Sequence, residues 1–321
     1  MASRRSIGLV FTPSGVGVAL SERLKGHTPT VRTYYVQLPM GCINEYSGEL
    51  QDISRVRGLL EVALGCDLRD FGPKEIFFAV PQSLAYRTAF EVPADLQRAS
   101  IDELLATYAA KLPGDLDSLV VDAYAHEPDF VNRRSVMILA ARRNAIETYA
   151  RLLEGREWLI GGITTAEIAR FNLWNTFQPE VATQVVFVCS ADNHSRELSL
   201  WDRGVLVASD TRCWLQGDKV SEDLAKDIKQ LSAQHSRTGS PPESVLLGGA
   251  LCELIELQDR IRSDCGINCW VSQPLLRAIQ TTRGQNYDHN NIRLMEDAVG
   301  VIAPKLRTPG AAYRKRRHGV Y

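Results

Sequence analysis

Long apolar runs are missing from this sequence of 321 residues. No stretch approaches the ~20 consecutive apolar residues that a membrane-spanning helix requires. The basic start, Met1–Ser6, leads into an apolar stretch that breaks at Pro13 and Gly15, which is not the pattern of a signal peptide. We therefore expect a protein that is cytoplasmic or peripheral to a membrane.

The common signatures of metal and enzyme sites are also missing. Seven cysteines form no framework, and Cys265 and Cys269, four apart, lack a second pair or nearby histidines, so we expect no zinc site. There is no glycine-rich loop ending in Gly-Lys-Ser or Gly-Lys-Thr, and no serine or cysteine stands in a nucleophile motif. The net charge of −1 gives no reason to expect nucleic acid as a partner.

What is present is a pattern that occurs twice. Each half shows three short β-rich runs, then an amphipathic helix and a buried strand, with tight turns at Pro13-Ser14-Gly15 and Asp202-Arg203-Gly204. The predicted strands are 7–11, 16–20, 31–38 and 75–80 in the first half and 184–189, 197–201, 205–209 and 244–247 in the second. Helices are predicted over 53–64 and from Val220 to about Leu231.

A different segment lies between the halves. Strands are predicted over 85–92, 119–126 and 135–140 around a helix at 101–112. A helix at 145–153, a strand at 158–163 and a helix at 164–175 follow, and Thr164 or Thr165 is expected to cap the last helix. One large α/β domain without duplication remains an alternative interpretation of the same pattern.

Short motifs from the middle to the end of the chain resemble those of a known family. They include FFAVPQSLAYRTAFEVP (77–93), LPGDLDSLVVD (112–122), a strand ending in Ala-Ala-Arg (140–142), SVLLGGALCELIELQ (244–258) and MEDAVGVIAP (295–304). Their order and character resemble PilM, a type IV pilus assembly protein of the actin-like and FtsA-like superfamily. The resemblance spans most of the chain.

This resemblance implies an α/β, actin-like fold of two duplicated ribonuclease-H-like lobes. A small α+β subdomain is inserted in the first lobe. The implied boundaries are 1–81 and about 142–180 for the first lobe, 82–141 for the inserted subdomain, 181–304 for the second lobe and 305–321 for a basic tail. The second lobe is expected to be trimmed, because several dozen residues that the family carries before Ser244 are missing.

The resemblance also implies a partner. PilM-like proteins bind the cytoplasmic N-terminal peptide of PilN, a bitopic membrane protein, and help connect pilus motor components to the inner-membrane platform. We expect the peptide between the first lobe and the inserted subdomain. The basic run Arg314–Arg317 is either a weak contact with anionic lipid or a solvated tail.

Nucleotide chemistry is where the sequence departs from the family. Members hold ATP and Mg²⁺ with two Asp-x-Gly phosphate hairpins and a Gly-Gly turn on the adenosine side. The residues that correspond here are Ser14 and Gly15, Asp192, and Gly248 and Gly249. The first hairpin has no carboxylate, and Pro13 removes one N–H donor. Asp192 is displaced from the expected place, and Gly248-Gly249 equally suits an ordinary tight turn. We therefore predict a degenerate ATPase without catalytic or metal-binding residues, with ATP and Mg²⁺ left as candidate ligands.

Two other functions remain as alternatives. One is a nucleotide-binding ATPase or kinase-like enzyme with the same fold. The other is a peripheral membrane component of the FtsA or GspL kind, although the tail from Ala311 to Tyr321 lacks the apolar content of a membrane-binding amphipathic helix.

Overall fold

The computed structural model describes residues 4–23, 30–68, 74–92, 96, 99–108, 111–125, 135–152, 158–191, 195–214, 219–235, 240–249, 251, 255–271 and 292–306. Asp192 and the basic run Arg314–Arg317 lie outside these residues. Within the described ranges, no helix is both long and apolar enough to cross a membrane.

Strands and helices alternate along the whole chain. The strands are β1 (Arg4–Thr12), β2 (Gly15–Arg23), β3 (Thr30–Gln37), β4 (Lys74–Val80), β5 (Ala85–Glu91), β6 (Leu119–Ala125), β7 (Ser135–Arg142), β8 (Trp158–Thr165), β9 (Val185–Ala191), β10 (Ser195–Asp202), β11 (Val205–Cys213), β12 (Ser244–Gly248) and β13 (Asn268–Val271). The helices are α1 (Ile53–Leu68), α2 (Ile101–Tyr108), α3 (Arg143–Arg151), α4 (Ala166–Phe177), α5 (Val220–His235), α6 (Ile255–Cys265) and α7 (Ile292–Leu306).

Two five-stranded sheets share one topology. The first sheet has the order β3-β2-β1-β4-β8 and the second β11-β10-β9-β12-β13. In each, three antiparallel strands are followed by strands parallel to the first of them. This duplicated ribonuclease-H-like order confirms the actin-like fold expected from the sequence. In the second lobe the chain passes from the end of β11 at Cys213 to the start of α5 at Val220 by a short connection.

The first sheet is covered on both faces, because apolar residues occupy both sides of its strands. Ile7, Leu9 and Phe11 point towards α1 and α3, whereas Val10 and its neighbours on β2 and β4 point towards α4 and α7. Strand β9 of the second sheet is also covered on both faces. Its odd-numbered residues pack against α5 and α6, and Val186 and Val188 face α4.

The inserted segment forms a sheet of its own. Strands β5, β7 and β6 lie in that order, and helix α2 covers one face through Leu104. The chain order of strand, helix, strand, strand is the one expected from the sequence, while the residue boundaries of the lobes stay a prediction. This inserted sheet is not isolated. Ala141 and Val120 join the core of the first lobe, and Met137 joins a core shared with the second lobe.

Several local expectations differ from the structure. The helix expected from Thr164 begins at Ala166, because β8 continues to Thr165 by pairing with β4 up to Val80. Thr165 is the residue before the helix, but its side chain makes no capping hydrogen bond. Strand β13 was not expected at all. It is short and polar at Asn268, and it is ordered by pairing with β12.

Helix α7 lies unusually close to its neighbours. A Cβ added to Gly8 would lie 2.3 Å from a backbone oxygen of α7, and one added to Gly17 would lie 2.2 Å from another. A Cβ added to Gly300 would lie 2.0 Å from the carbonyl oxygen of Ala169 in α4. These glycines are therefore required by close backbone approach rather than by backbone conformation. They fix α7 against both the first sheet and α4.

We expect Gly300→Ala to lower the free energy of unfolding by roughly 1–3 kcal/mol, because the new methyl group overlaps backbone atoms of α4 that cannot move aside cheaply. The matched control is Gly58→Ala in α1, where an added Cβ meets nothing within 4 Å. That change should instead stabilise the protein by about 0.5–1 kcal/mol. Urea unfolding of both variants measures the two changes in the free energy of unfolding, which should have opposite signs. Equal changes would contradict the close packing of α7.

Candidate functional site

Helix α4 stands between the two lobes and packs against both. Ala169 and Leu173, four residues apart, belong to the core beneath the first sheet. Phe171 and Trp174 belong to the core beneath the second sheet, where Phe171 stacks on Trp201 with ring centroids 4.1 Å apart. The residue between these two surfaces is Arg170, which is buried at the lobe interface.

A cluster of buried charges surrounds Arg170. Its Nε and Nη2 atoms donate to the two carboxylate oxygens of Asp297 on α7, at 2.8 and 2.7 Å. The same guanidinium donates to Glu197 on β10 at 3.1 and 3.2 Å, and Arg293 of α7 donates to the other oxygen of Glu197 at 2.7 Å. The cluster thus joins α4, α7 and the second sheet with paired, charge-assisted hydrogen bonds.

Ionisation of this cluster follows from burial and from its neighbours. Burial opposes the charge of Glu197, but Arg293 and Arg170 outweigh burial and lower the pKa of Glu197 to about 2. Burial also opposes the charge of Arg170, yet Asp297 and Glu197 raise its pKa above the ordinary value. Burial raises the pKa of Asp297 despite Arg170.

A second ion pair ties the inserted sheet to α4. Arg87 on β5 pairs with Glu167, a buried residue in the first turn of α4, and Gln82 donates to the same carboxylate. Burial lowers the pKa of Arg87, while the Glu197 carboxylate opposes that shift. Arg87 therefore lies within electrostatic range of the main cluster, and charged side chains connect all three parts of the molecule.

The predicted nucleotide residues of the first lobe lie at the turn between β1 and β2. The backbone N–H of Gly15 donates to Thr12 Oγ1 at 3.2 Å, and the Ser14 carbonyl accepts from Tyr35 Oη at 2.9 Å. A Cβ added to Gly15 would lie 2.3 Å from the Tyr35 ring. The tip of this hairpin is thus closed by its own side chains and by Tyr35.

The predicted residues of the second lobe lie at the end of β12. Gly248 is the last residue of the strand, and its register partner on β9 is Ser190, whose hydroxyl is buried without a hydrogen-bond partner among the described residues. Gly249 follows with a φ of +84°, and its N–H donates to Glu296 Oε2 of α7 at 2.9 Å. Asp192 lies outside the described residues, and the nucleotide role of all five residues stays a prediction.

Solved structures with the same architecture are known. A chain of the PilM-PilN type IV pilus biogenesis complex matches with a TM-score of 0.66 and 14 % identity, over 95 % of this chain and 99 % of that one. The chain has an actin-like fold. Other matches are an actin-like ATPase-fold protein from Bacteroides thetaiotaomicron (TM-score 0.47, 11 % identity, 87 % and 96 % coverage) and the cytoplasmic domain of EpsL, an inner-membrane component of type II secretion in Vibrio cholerae (TM-score 0.47, 9 %, 93 % and 95 %). No protein-family model and no curated protein matches the sequence.

Two backbone amides at the predicted nucleotide turns are used within the protein. Phosphate oxygens need free backbone donors, but the N–H groups of Gly15 and Gly249 both donate to side chains of the protein. In the ranges covered by the structure, no three His, Cys, Asp or Glu side chains are grouped to hold a metal ion.

Sequence reasoning missed the buried charges altogether. The signal was present: Arg170 interrupts the apolar run of α4, and Glu296 and Asp297 stand in the middle of the apolar helix α7. Charged residues are almost never fully buried unless they are paired. Two such interruptions in otherwise buried helices therefore predict a pair, although sequence alone does not say that the two helices touch.

We expect the stability of the protein to depend on Glu197 above about pH 4.5. Lowering its pKa from an ordinary 4.5 to about 2 corresponds to about 3 kcal/mol at neutral pH. Because the folded-state pKa is depressed, this contribution is complete above the unfolded-state pKa and is lost as the pH falls towards 2. Urea unfolding should show Glu197→Gln less stable than the native chain by about that amount at pH 7, and the gap should narrow at about pH 2.5. The exposed Glu180→Gln serves as control, and a gap that does not change with pH would contradict the assignment.

Proposed function

We propose that this chain is a scaffold of type IV pilus or related secretion machinery, which binds the cytoplasmic N-terminal segment of a PilN-like membrane protein and does not hydrolyse ATP. The shared fold with a chain of the PilM-PilN complex supports the proposal. In this proposal the protein is cytoplasmic and reaches the inner membrane through its partner. The observation that carries it is an exposed, rigid, acidic loop beside the inserted sheet.

This docking loop, residues 38–52, displays two large apolar side chains. Met40 is 90 % exposed and Tyr46 is 91 % exposed, more than any other large apolar residue among those described. Buried Cys42, Ile43 and Leu50 anchor the loop in the core of the first lobe. Exposed aromatic and methionine side chains on a fixed backbone are typical of binding hot spots.

Hydrogen bonds hold the docking loop in one shape. Asn44 Oδ1 accepts from the N–H groups of Tyr46 and Ser47, each at 2.9 Å, and the Asn44 N–H donates to the Glu49 carbonyl at 2.9 Å. The buried Tyr149 donates to the Gly48 carbonyl at 2.8 Å. A partner that binds here therefore meets a preorganised surface and loses little free energy in ordering it.

The docking loop lies beside the start of the inserted sheet. A Cβ added to Gly48 would lie 2.7 Å from Ser83 Oγ and 2.9 Å from Pro81 Cβ. The docking loop carries exposed carboxylates at Glu45, Glu49 and Asp52. Cytoplasmic segments next to membrane spans are rich in Lys and Arg, so an acidic and apolar surface suits the proposed partner.

We expect Tyr46→Ala to weaken binding of a synthetic N-terminal peptide from the cognate PilN-like protein about tenfold or more, because a central aromatic contact is lost. Isothermal titration of the full chain measures the affinity. The control is Val62→Ala on α1, which removes another exposed apolar side chain from the same lobe. If the peptide binds both variants as tightly as the native chain, the docking loop is not its site. Deletion of residues 82–141 is a poor test, because Ala141 and Met137 belong to the cores of the lobes.

We expect the purified chain to show no ATPase activity, because the Gly15 and Gly249 amides donate to side chains of the protein and the first hairpin lacks a carboxylate for Mg²⁺. Phosphate release with Mg-ATP measures turnover, and calorimetric titration measures binding. Micromolar affinity that disappears in Asp192→Ala would contradict the proposal and identify a nucleotide-responsive protein instead.

A further inference from the structure

The glycine turn after β12 is held from two sides. On one side, a Cβ added to Gly249 would lie 2.4 Å from the Ala191 carbonyl oxygen, and that oxygen accepts the Leu251 N–H at 3.1 Å. On the other side, Glu296 accepts the Gly249 N–H at 2.9 Å. Glu296 is 1 % exposed, so this contact is shielded from water. The turn is thus clamped between the end of β9 and helix α7.

The residue that meets the Gly249 amide is a buried carboxylate on α7. Arg293, Glu296 and Asp297 lie three and four residues apart and share one face of α7. Among the described residues, Asp297 and Arg293 of the same helix bind Arg170 and Glu197 at the interface between the lobes. Because Glu296 is buried, its charge is poorly screened, so the carboxylate would repel a phosphate group that approached the Gly249 amide.

We infer that the Glu296 carboxylate occupies the glycine turn in place of a ligand. It accepts the Gly249 N–H, which a phosphate-bearing ligand would otherwise bind. The chain's own charges then hold the lobes together without such a ligand. The Gly249 amide faces α7, and a carboxylate is the side chain that most resembles a phosphate oxygen in charge and hydrogen bonding. The consequence is an actin-like cleft that is closed without nucleotide. This inference does not depend on the proposed partner.

Amide hydrogen exchange of the full chain, followed by NMR, tests the inference at single residues. In Glu296→Ala the exchange of the Gly249 amide should rise about tenfold or more, as expected for the loss of one buried hydrogen bond. The Leu251 amide, which donates to Ala191 instead, is the internal control and should not change. Glu256→Ala, which removes an exposed carboxylate from α6, should leave both amides unchanged.

Inorganic pyrophosphate then serves as the probe, because it carries the phosphate charge without a base or sugar. It should slow Gly249 exchange in Glu296→Ala and leave the native chain unchanged. Protection of Gly249 by pyrophosphate in the native chain would overturn the inference. So would a failure to protect it in the variant, which would make Glu296 a structural brace only.

A second variant keeps the test decisive if Glu296→Ala does not fold. Glu296→Gln retains an acceptor oxygen but removes the charge, so it should keep slow exchange at Gly249 in the absence of the probe. If the Gln variant exchanges at this amide as fast as an unprotected residue, Glu296 does not hold the turn in the way inferred, and the inference fails.

Discussion

The contact between Arg170 and Asp297 is the interaction on which the arrangement of the lobes depends. Arg170 belongs to α4, Asp297 to α7, and the remaining bonds of Arg170 go to Glu197 on the second sheet. A buried guanidinium is tolerated only when its donors are satisfied, so these three elements must meet at one point with matching geometry. Apolar packing alone is less selective for one arrangement of the lobes, because hydrophobic surfaces fit together in several ways. A planar guanidinium binds two carboxylates in only a few geometries. The cluster therefore specifies how the lobes are placed while the surrounding cores stabilise them.

The fold was predictable where a local pattern decides the structure. Strands such as Lys74–Val80 and Val185–Ala191 are nearly continuous apolar runs, and each is buried on both faces. The predictions failed where pairing decides instead. Strand β11 extends to Cys213 through polar residues because β10 pairs with it along its length, up to Ser195 opposite Cys213. Short-range periodicity carries no information about such partners.

The candidate site was also predictable only where a local sequence pattern decides the structure. The turn at Gly248-Gly249 was visible as a glycine pair after a buried strand, because only a glycine accommodates both the positive φ and the close approach of Ala191. Its partner Glu296 lies 47 residues further along the chain, and nothing in the local sequence of either segment names the other. The shape of the docking loop also depends on side-chain hydrogen bonds from Asn44 that sequence patterns do not reveal. Predicting such contacts requires the tertiary structure.

The inserted sheet has a mechanical consequence. Its central strand β7 contributes Ala141 to the core of the first lobe and Met137 to the core shared with the second, while Arg87 on β5 is paired with α4. A pulling force applied at the junction of the docking loop and this sheet would act on both cores at once. Detaching the sheet would require breaking apolar contacts and a buried ion pair together, rather than one after another. We therefore expect the insertion to resist tension cooperatively, with the load shared by both lobes.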